Sequence, residues 1–153
     1  MDRLRSEIHQ TRPFRSVEQE AFLNVLRTAD HLSRSLHETL KPAGLSATQY
    51  NVLRILRGAG EEGLSCQECS ARMIAHDPDV TRLLDRLEKR SLIRRERSTQ
   101  DRRVVRTFIT DEGLRLLAEL DEPIHQLHDR QLGHLGPEKL GLLIGLLEEA
   151  RKD

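Results

Sequence analysis

Tryptophan is absent from this 153-residue chain, and one tyrosine and three phenylalanines are its only other large aromatics. A core without large rings must be packed from aliphatic side chains. Leucine dominates them here, which favours helices over a sandwich or barrel. Cysteine is limited to Cys66 and Cys69, with no second pair and no well-spaced pair of histidines to complete a zinc site. Neither a disulfide framework nor a structural zinc is therefore expected. No apolar run approaches the ~18 to 20 residues that cross a bilayer, and the opening Met1-Asp2-Arg3-Leu4-Arg5-Ser6-Glu7 has no apolar segment of the secretory type. These absences point to a cytoplasmic protein with reduced thiols and no membrane partner. Gly-x-Ser-x-Gly, His-Glu-x-x-His and phosphate-loop signatures are also missing, so no enzyme and no cofactor are expected.

Net charge is zero, with 25 basic and 25 acidic residues, but the charges are unevenly spread. Residues 72 to 106 hold eleven Lys plus Arg against six acids, a surplus of five that the rest of the chain must balance with a deficit of five. Ten of the eleven are Arg, whose planar fork suits bidentate contacts to bases and phosphates. A polyanion would be drawn to the middle of the sequence.

The length fits one domain with added helices. Residues 1 to 15 are polar and read as an arm. Ser16-Val17-Glu18-Gln19 matches a capping box and opens a helix with Phe22, Val25, Leu26, Ala29, Leu32, Leu36 and Leu40 at helical spacing, stopped by Pro42 and Gly44. Two further capping boxes follow. Ser46-Ala47-Thr48-Gln49 opens a helix that ends at Gly58-Ala59-Gly60, and Ser65-Cys66-Gln67-Glu68 opens a short one running to about Ile74. Asp77 as cap and Pro78 at the first helical position start the next, with Val80, Leu83, Leu84 and Leu87 inward and Asp79, Thr81, Arg82, Arg86 and Arg90 outward.

From Leu92 the period changes. Ile93 to Arg97 and Val104 to Ile109 read as strands joined by Ser98-Thr99-Gln100-Asp101-Arg102-Arg103. Thr110 caps another helix that Pro123 should kink or restart, and Gly136-Pro137 begins the last one. Two short helices followed by a charged hairpin describe a winged helix, a module that places its second helix in the DNA major groove. The predicted fold is mainly α with a small β-hairpin wing, a winged helix-turn-helix with terminal dimerisation helices. Its parts are an arm (1 to 15), an N-terminal dimerisation helix (16 to 45), the DNA-binding region (46 to 110) and C-terminal dimerisation helices (111 to 153). The last helix carries a stripe of Leu140, Leu143, Ile144, Leu146 and Leu147 that is too generous for one small module, and a homodimer through Leu140, Leu143, Ile144 and Leu147 is expected. Gly141 and Gly145, four apart, suit a close approach of two helices.

The series Val80-Thr81-Arg82-Leu83-Leu84-Asp85-Arg86-Leu87-Glu88-Lys89-Arg90, then Leu92-Ile93, Asp101-Arg102-Arg103 and Ile109-Thr110-Asp111-Glu112-Gly113, resembles the MarR family of winged-helix regulators over roughly residues 17 to 151. The resemblance implies an obligate dimer that represses transcription from a near-palindromic double-stranded DNA operator and is released by a small-molecule effector, typically a phenolic or other lipophilic anion. It implies that Thr81, Arg82 and Arg86 lie at the DNA, Ser65 and Gln67 near phosphates, and Arg102 and Arg103 at the wing. Asp101 would be the wing acid, holding Arg103 in shape with help from Arg95. Asp79 would sit near DNA as well. Ile74 and Ser91 depart from the pattern, because glycine is frequent at both positions in the family.

Three other readings belong beside this one. Cys66 and Cys69 suggest a redox-responsive regulator of the same fold, with Cys69 facing inward as core and Cys66 in a first helical turn as the more reactive thiol. His125 and His128 on one helix face suggest a metal-responsive regulator. A winged helix can also act as a protein-interaction module without DNA binding.

Overall fold

The computed structural model describes residues 3 to 152. By compactness the chain divides between Ser35 and Leu36 into two units. The first holds α1 (Arg3–Glu7) and most of α2 (Val17–Leu40). The polar arm expected at the N-terminus thus contains a helical turn, in which Glu7 accepts from Arg3 at 2.8 Å and lies 3.6 Å from Arg27. At the start of α2, Ser16 Oγ accepts the Gln19 N–H at 3.2 Å, while the Gln19 side chain reaches past Ser16 to the Arg15 N–H at 2.8 Å.

In the second unit, α3 (Ala47–Ala59) opens on a complete Ser46/Gln49 capping box and buries Tyr50, Val52, Leu53 and Leu56. α4 (Cys66–Arg72) and α5 (Val80–Lys89) follow, then β2 (Ile93–Arg97), β3 (Val105–Ile109), α6 (Asp111–Leu132) and α7 (Gly136–Glu149). Leu40, Leu53, Leu56, Leu84, Leu87, Ile93 and Leu117 are fully buried and form the aliphatic core that the lack of aromatics predicts. Truncating any of them to Ala should cost about 2 to 5 kcal/mol.

The sheet has a strand that the sequence reading missed. β1 (Leu64–Ser65) pairs antiparallel with β3, giving the order β1-β3-β2. Two residues are too few to show an alternating pattern. The strand is held instead by tertiary contacts: Arg106 donates from Nε to Glu62 O at 2.8 Å and from Nη2 to Gly63 O at 2.9 Å. Gly63 has φ +60°, and a Cβ there would lie 2.6 Å from the Phe108 ring, so no larger residue fits this turn.

The junction from α5 to β2 is a Schellman ending. The Leu92 N–H donates to Leu87 O at 3.1 Å and the Ser91 N–H to Glu88 O at 2.8 Å, with Ser91 at φ +60°. Thr110 joins this corner to α6, because its hydroxyl donates to Ser91 O at 2.6 Å and accepts the Gly113 N–H at 3.1 Å. A Cβ on Gly113 would lie 2.4 Å from Leu92 O. The Ile109–Gly113 run is therefore a structural clasp. α6 continues unbroken through Pro123 to Leu132, without the restart that proline allowed. α7 buries none of its residues, and Leu142, Ile144 and Leu146 are more than half exposed.

Candidate nucleic-acid interface

α4 and α5 form the helix-turn-helix. Ser65 caps α4 through a reciprocal pair in which Ser65 Oγ accepts the Glu68 N–H at 3.2 Å and the Glu68 carboxylate accepts the Ser65 N–H at 2.7 Å. That pairing holds the Glu68 carboxyl below its ordinary range. It commits the Ser65 hydroxyl and N–H to the cap, so of the Ser65/Gln67 pair only Gln67 is exposed and uncommitted among the described residues. The turn is fixed by Asn51, whose Oδ1 accepts the Ile74 N–H at 2.9 Å, and the Ile74 side chain is 90% exposed.

α5 begins two residues later than Pro78 suggested. Its cap is Asp79, which accepts the Arg82 N–H at 3.0 Å, while Asp77 accepts the Asp79 N–H at 2.8 Å and shapes the turn before it. The helix that Asp77-Pro78 was expected to start is thus preceded by an Asx turn, and Asp79 owes its place to capping. Val80, Leu83, Leu84 and Leu87 are buried. The opposite face carries Arg82, Arg86 and Lys89, spaced by four and three residues so that they form one ribbon. None of the three side chains has an ion pair or hydrogen bond to the described residues. Lys89 was not singled out from the sequence, although the spacing was there to read. Thr81 borders this ribbon, and its Oγ1 lies 3.8 Å from Cys66 Sγ.

Several arginines read as solvated or DNA-facing are structural. Arg90 donates both Nη groups to Ala43 O and Gly44 O at 2.8 Å, holding the turn after α2. Arg94 stacks over Phe108 at 4.3 Å and pairs with Glu96. Arg95 does not reach Asp101 as expected. It is only 24% exposed, and its Nη2 lies 2.6 Å from Asp85 Oδ1 and 2.8 Å from Glu88 Oε1, both on α5. Its hydrogen bond holds the Glu88 carboxyl below the ordinary range, and the two acids make the Arg95 proton harder to remove.

The wing loop ties itself together. Ser98 Oγ accepts from the Gln100 and Asp101 N–H groups at 3.2 and 3.4 Å, and Arg97 donates to Arg102 O at 3.0 Å. Asp101 Oδ1 accepts the Arg103 N–H at 3.0 Å and Arg103 Nε at 3.3 Å, while the Arg103 side chain stays 91% exposed. The Arg102 side chain has no partner among the described residues. Thr81, Arg82, Arg86, Arg102 and Arg103 are thus uncommitted or merely braced, whereas Ser65, Asp79 and Arg95 serve the fold.

Cys66 and Cys69 are free thiols, with Cys69 buried and Cys66 half-buried. Burial, with smaller effects from Cys66 and Glu68, pushes the Cys69 thiol up to about 11. Among the described residues no cluster of three or more His, Cys, Asp or Glu is placed to hold a metal, and no helix is long and apolar enough to cross a membrane.

A sequence model of the MarR family matches residues 45–105, from the capped α3 to the start of β3. A crystal structure of a MarR transcription factor from Planctomyces limnophilus is 45% identical, covers 89% of this chain and 98% of its own, and superposes with a TM-score of 0.69. The chain belongs to the MarR family. The HTH-type transcriptional regulator FarR of Neisseria gonorrhoeae is 29% identical over 92% of this chain and 94% of its own length. The fold is also that of Bordetella bronchiseptica BpsR, a protein whose DNA binding is regulated by 6-hydroxynicotinic acid, at 22% identity, a TM-score of 0.77, and coverage of 87% of this chain and 99% of that one. The mainly helical winged fold and the family resemblance read from the sequence both hold. This MarR-family chain is a transcriptional regulator with a DNA-binding fold, and its relatives are regulators, not enzymes.

Proposed function

We propose that this MarR-family protein is a cytoplasmic homodimeric repressor, with α5 entering the major groove and the loop 98 to 104 the minor groove of a near-palindromic operator. The observation that carries the reading is the unpaired ribbon of Arg82, Arg86 and Lys89 on a helix whose other face is core. Cations without intramolecular partners are available to phosphates and to guanine edges. The exposed, Asp101-braced Arg103 has the form required for a narrow, electronegative minor groove. The helices flanking residues 46 to 110 build the dimer, in which α7 buries Leu140, Leu143, Ile144 and Leu147 against the partner. Its lack of any buried residue in the single chain supports this role. A small aromatic or otherwise lipophilic anion, the class to which 6-hydroxynicotinic acid belongs, releases the operator by favouring the dimer state with the wrong spacing between recognition helices.

The test is a binding titration on a duplex that the protein itself enriches from a randomised pool. Arg82→Ala and Arg86→Ala are expected to weaken binding by about 1 to 3 kcal/mol each where they touch base edges. Asp101→Ala is expected to weaken it as well, although it removes a negative charge. Wild-type affinity in both Arg variants would mean that another helix enters the groove. Sedimentation of the parent as a dimer, and of Leu143→Asp as a monomer, checks the assembly.

A further inference from the structure

Arg95 is the one basic side chain that joins the recognition helix to the wing strand among the described residues. It lies on β2, paired across the sheet with the buried Thr107, and two residues beyond it the strand ends at Arg97, where the wing loop begins. Its Nη2 is shared between Asp85 and Glu88, which stand one turn apart on α5 beside the Arg82–Arg86–Lys89 ribbon. A planar guanidinium between two carboxylates fixes direction as well as distance. The helix that addresses one groove and the loop that addresses the next are thereby held at one separation.

We propose that Arg95 is a positioning residue for operator discrimination: it contacts no DNA, and by clamping Asp85 and Glu88 it makes α5 and the wing a single reading head. This rests on the DNA-binding mode given under Proposed function. Random DNA, bound through phosphates, tolerates a loose angle between helix and wing, because backbone contacts can be made in many registers. A chosen sequence does not, since base-edge contacts need both elements in register at once. Loss of the clamp should therefore lower the preference for the selected sequence and leave bulk electrostatic binding in place.

The test uses the full chain, a duplex enriched by the wild type from a randomised pool, and an unselected duplex of equal length. Arg95→Lys keeps the charge, but its ammonium sits on a side chain one bond shorter and ends short of the Nη2 position that the two carboxylates share. The expected result is a loss of about tenfold on the selected duplex with a change of less than about twofold on the unselected one, and hydroxyl-radical protection of the minor-groove sugars at the wing lost while protection of guanine N7 from dimethyl sulfate in the major groove is kept. Glu88→Gln, which leaves Asp85 on Arg95, should lose about threefold on the selected duplex only, and it decides the matter where Arg95→Lys does not fold. Equal losses on both duplexes would reduce Arg95 to one charge among many and overturn the proposal. So would an unchanged preference for the selected duplex in Glu88→Gln. A wild-type protein that enriches no sequence at all defeats the DNA-binding mode itself and this inference with it.

Discussion

Ser91 occupies the left-handed position at the end of α5 with φ +60°, where an L-residue other than glycine is crowded by its own Cβ. The cost of that conformation is roughly 1 to 2 kcal/mol. Glycine would remove it at the expense of roughly 0.5 to 1 kcal/mol from its greater freedom in the unfolded chain. The hydrogen bonds at this corner, Ser91 N–H to Glu88 O, Leu92 N–H to Leu87 O and the Thr110 hydroxyl to Ser91 O, use only the main chain of Ser91 and survive the change. Ser91→Gly should therefore stabilise the protein by about 0.5 to 1 kcal/mol, or about 1 to 4 °C in Tm for a chain of this size. Urea unfolding followed by circular dichroism, with protomer concentration held fixed, reads the difference. Ser91→Ala, which keeps the Cβ, should stay near the parent, and Ser91→Val should fall below it because branching worsens the crowding. A glycine variant no more stable than the alanine one would show that the corner is unstrained and would refute the reasoning.

Gly113→Ala sets a Cβ 2.4 Å from Leu92 O and 2.7 Å from Ile109 Cγ1; it should destabilise by about 1 to 3 kcal/mol, and a parent-like melting curve would show that α6 shifts freely. Arg57 pairs with Asp121 through two bonds of 2.9 and 3.0 Å and holds that carboxyl below its ordinary 3.8. The pair's contribution is present above that value and lost as pH falls through the depressed one, so Asp121→Asn should cost less than about 1 kcal/mol at neutral pH and progressively less as pH falls below the ordinary carboxylate range; a gap that does not shrink with falling pH would contradict it. A thiol reagent at about pH 8 should modify Cys66 at once and Cys69 only on unfolding, since burial holds Cys69 at about 11. Two equally fast thiols in the folded protein would count against that assignment.

What was legible in the sequence was whatever is fixed within a few residues. The boxes at Ser46 and Ser65 are local hydrogen bonds, and both form. The buried faces of α3 and α5 follow from periodicity alone. At Asp77-Pro78-Asp79 two acids two residues apart could each cap, and the choice falls to Asp79 because Asp77 is occupied by the turn. The fates of Arg90, Arg95 and Arg106 were not legible. Their partners lie 7 to 47 residues away in sequence, and a composition count cannot distinguish an arginine that reads DNA from one that holds a carbonyl. β1 was invisible for the same reason, since its two residues become a strand only through β3 and the Arg106 bonds.

α6 is a 22-residue rod clasped at its first turn to the corner where α5 meets β2. At 1.5 Å per residue it is ~33 Å long, so a tilt of ~5° at the clasp sweeps its far end through ~3 Å. Pro123 lies near the middle of this lever and lacks the N–H that would bond the Glu119 carbonyl, giving the arm one compliant joint. A bend at that joint would leave only the first half of the rod, before Pro123, tied to the corner at Ser91 and Leu92 where α5 ends.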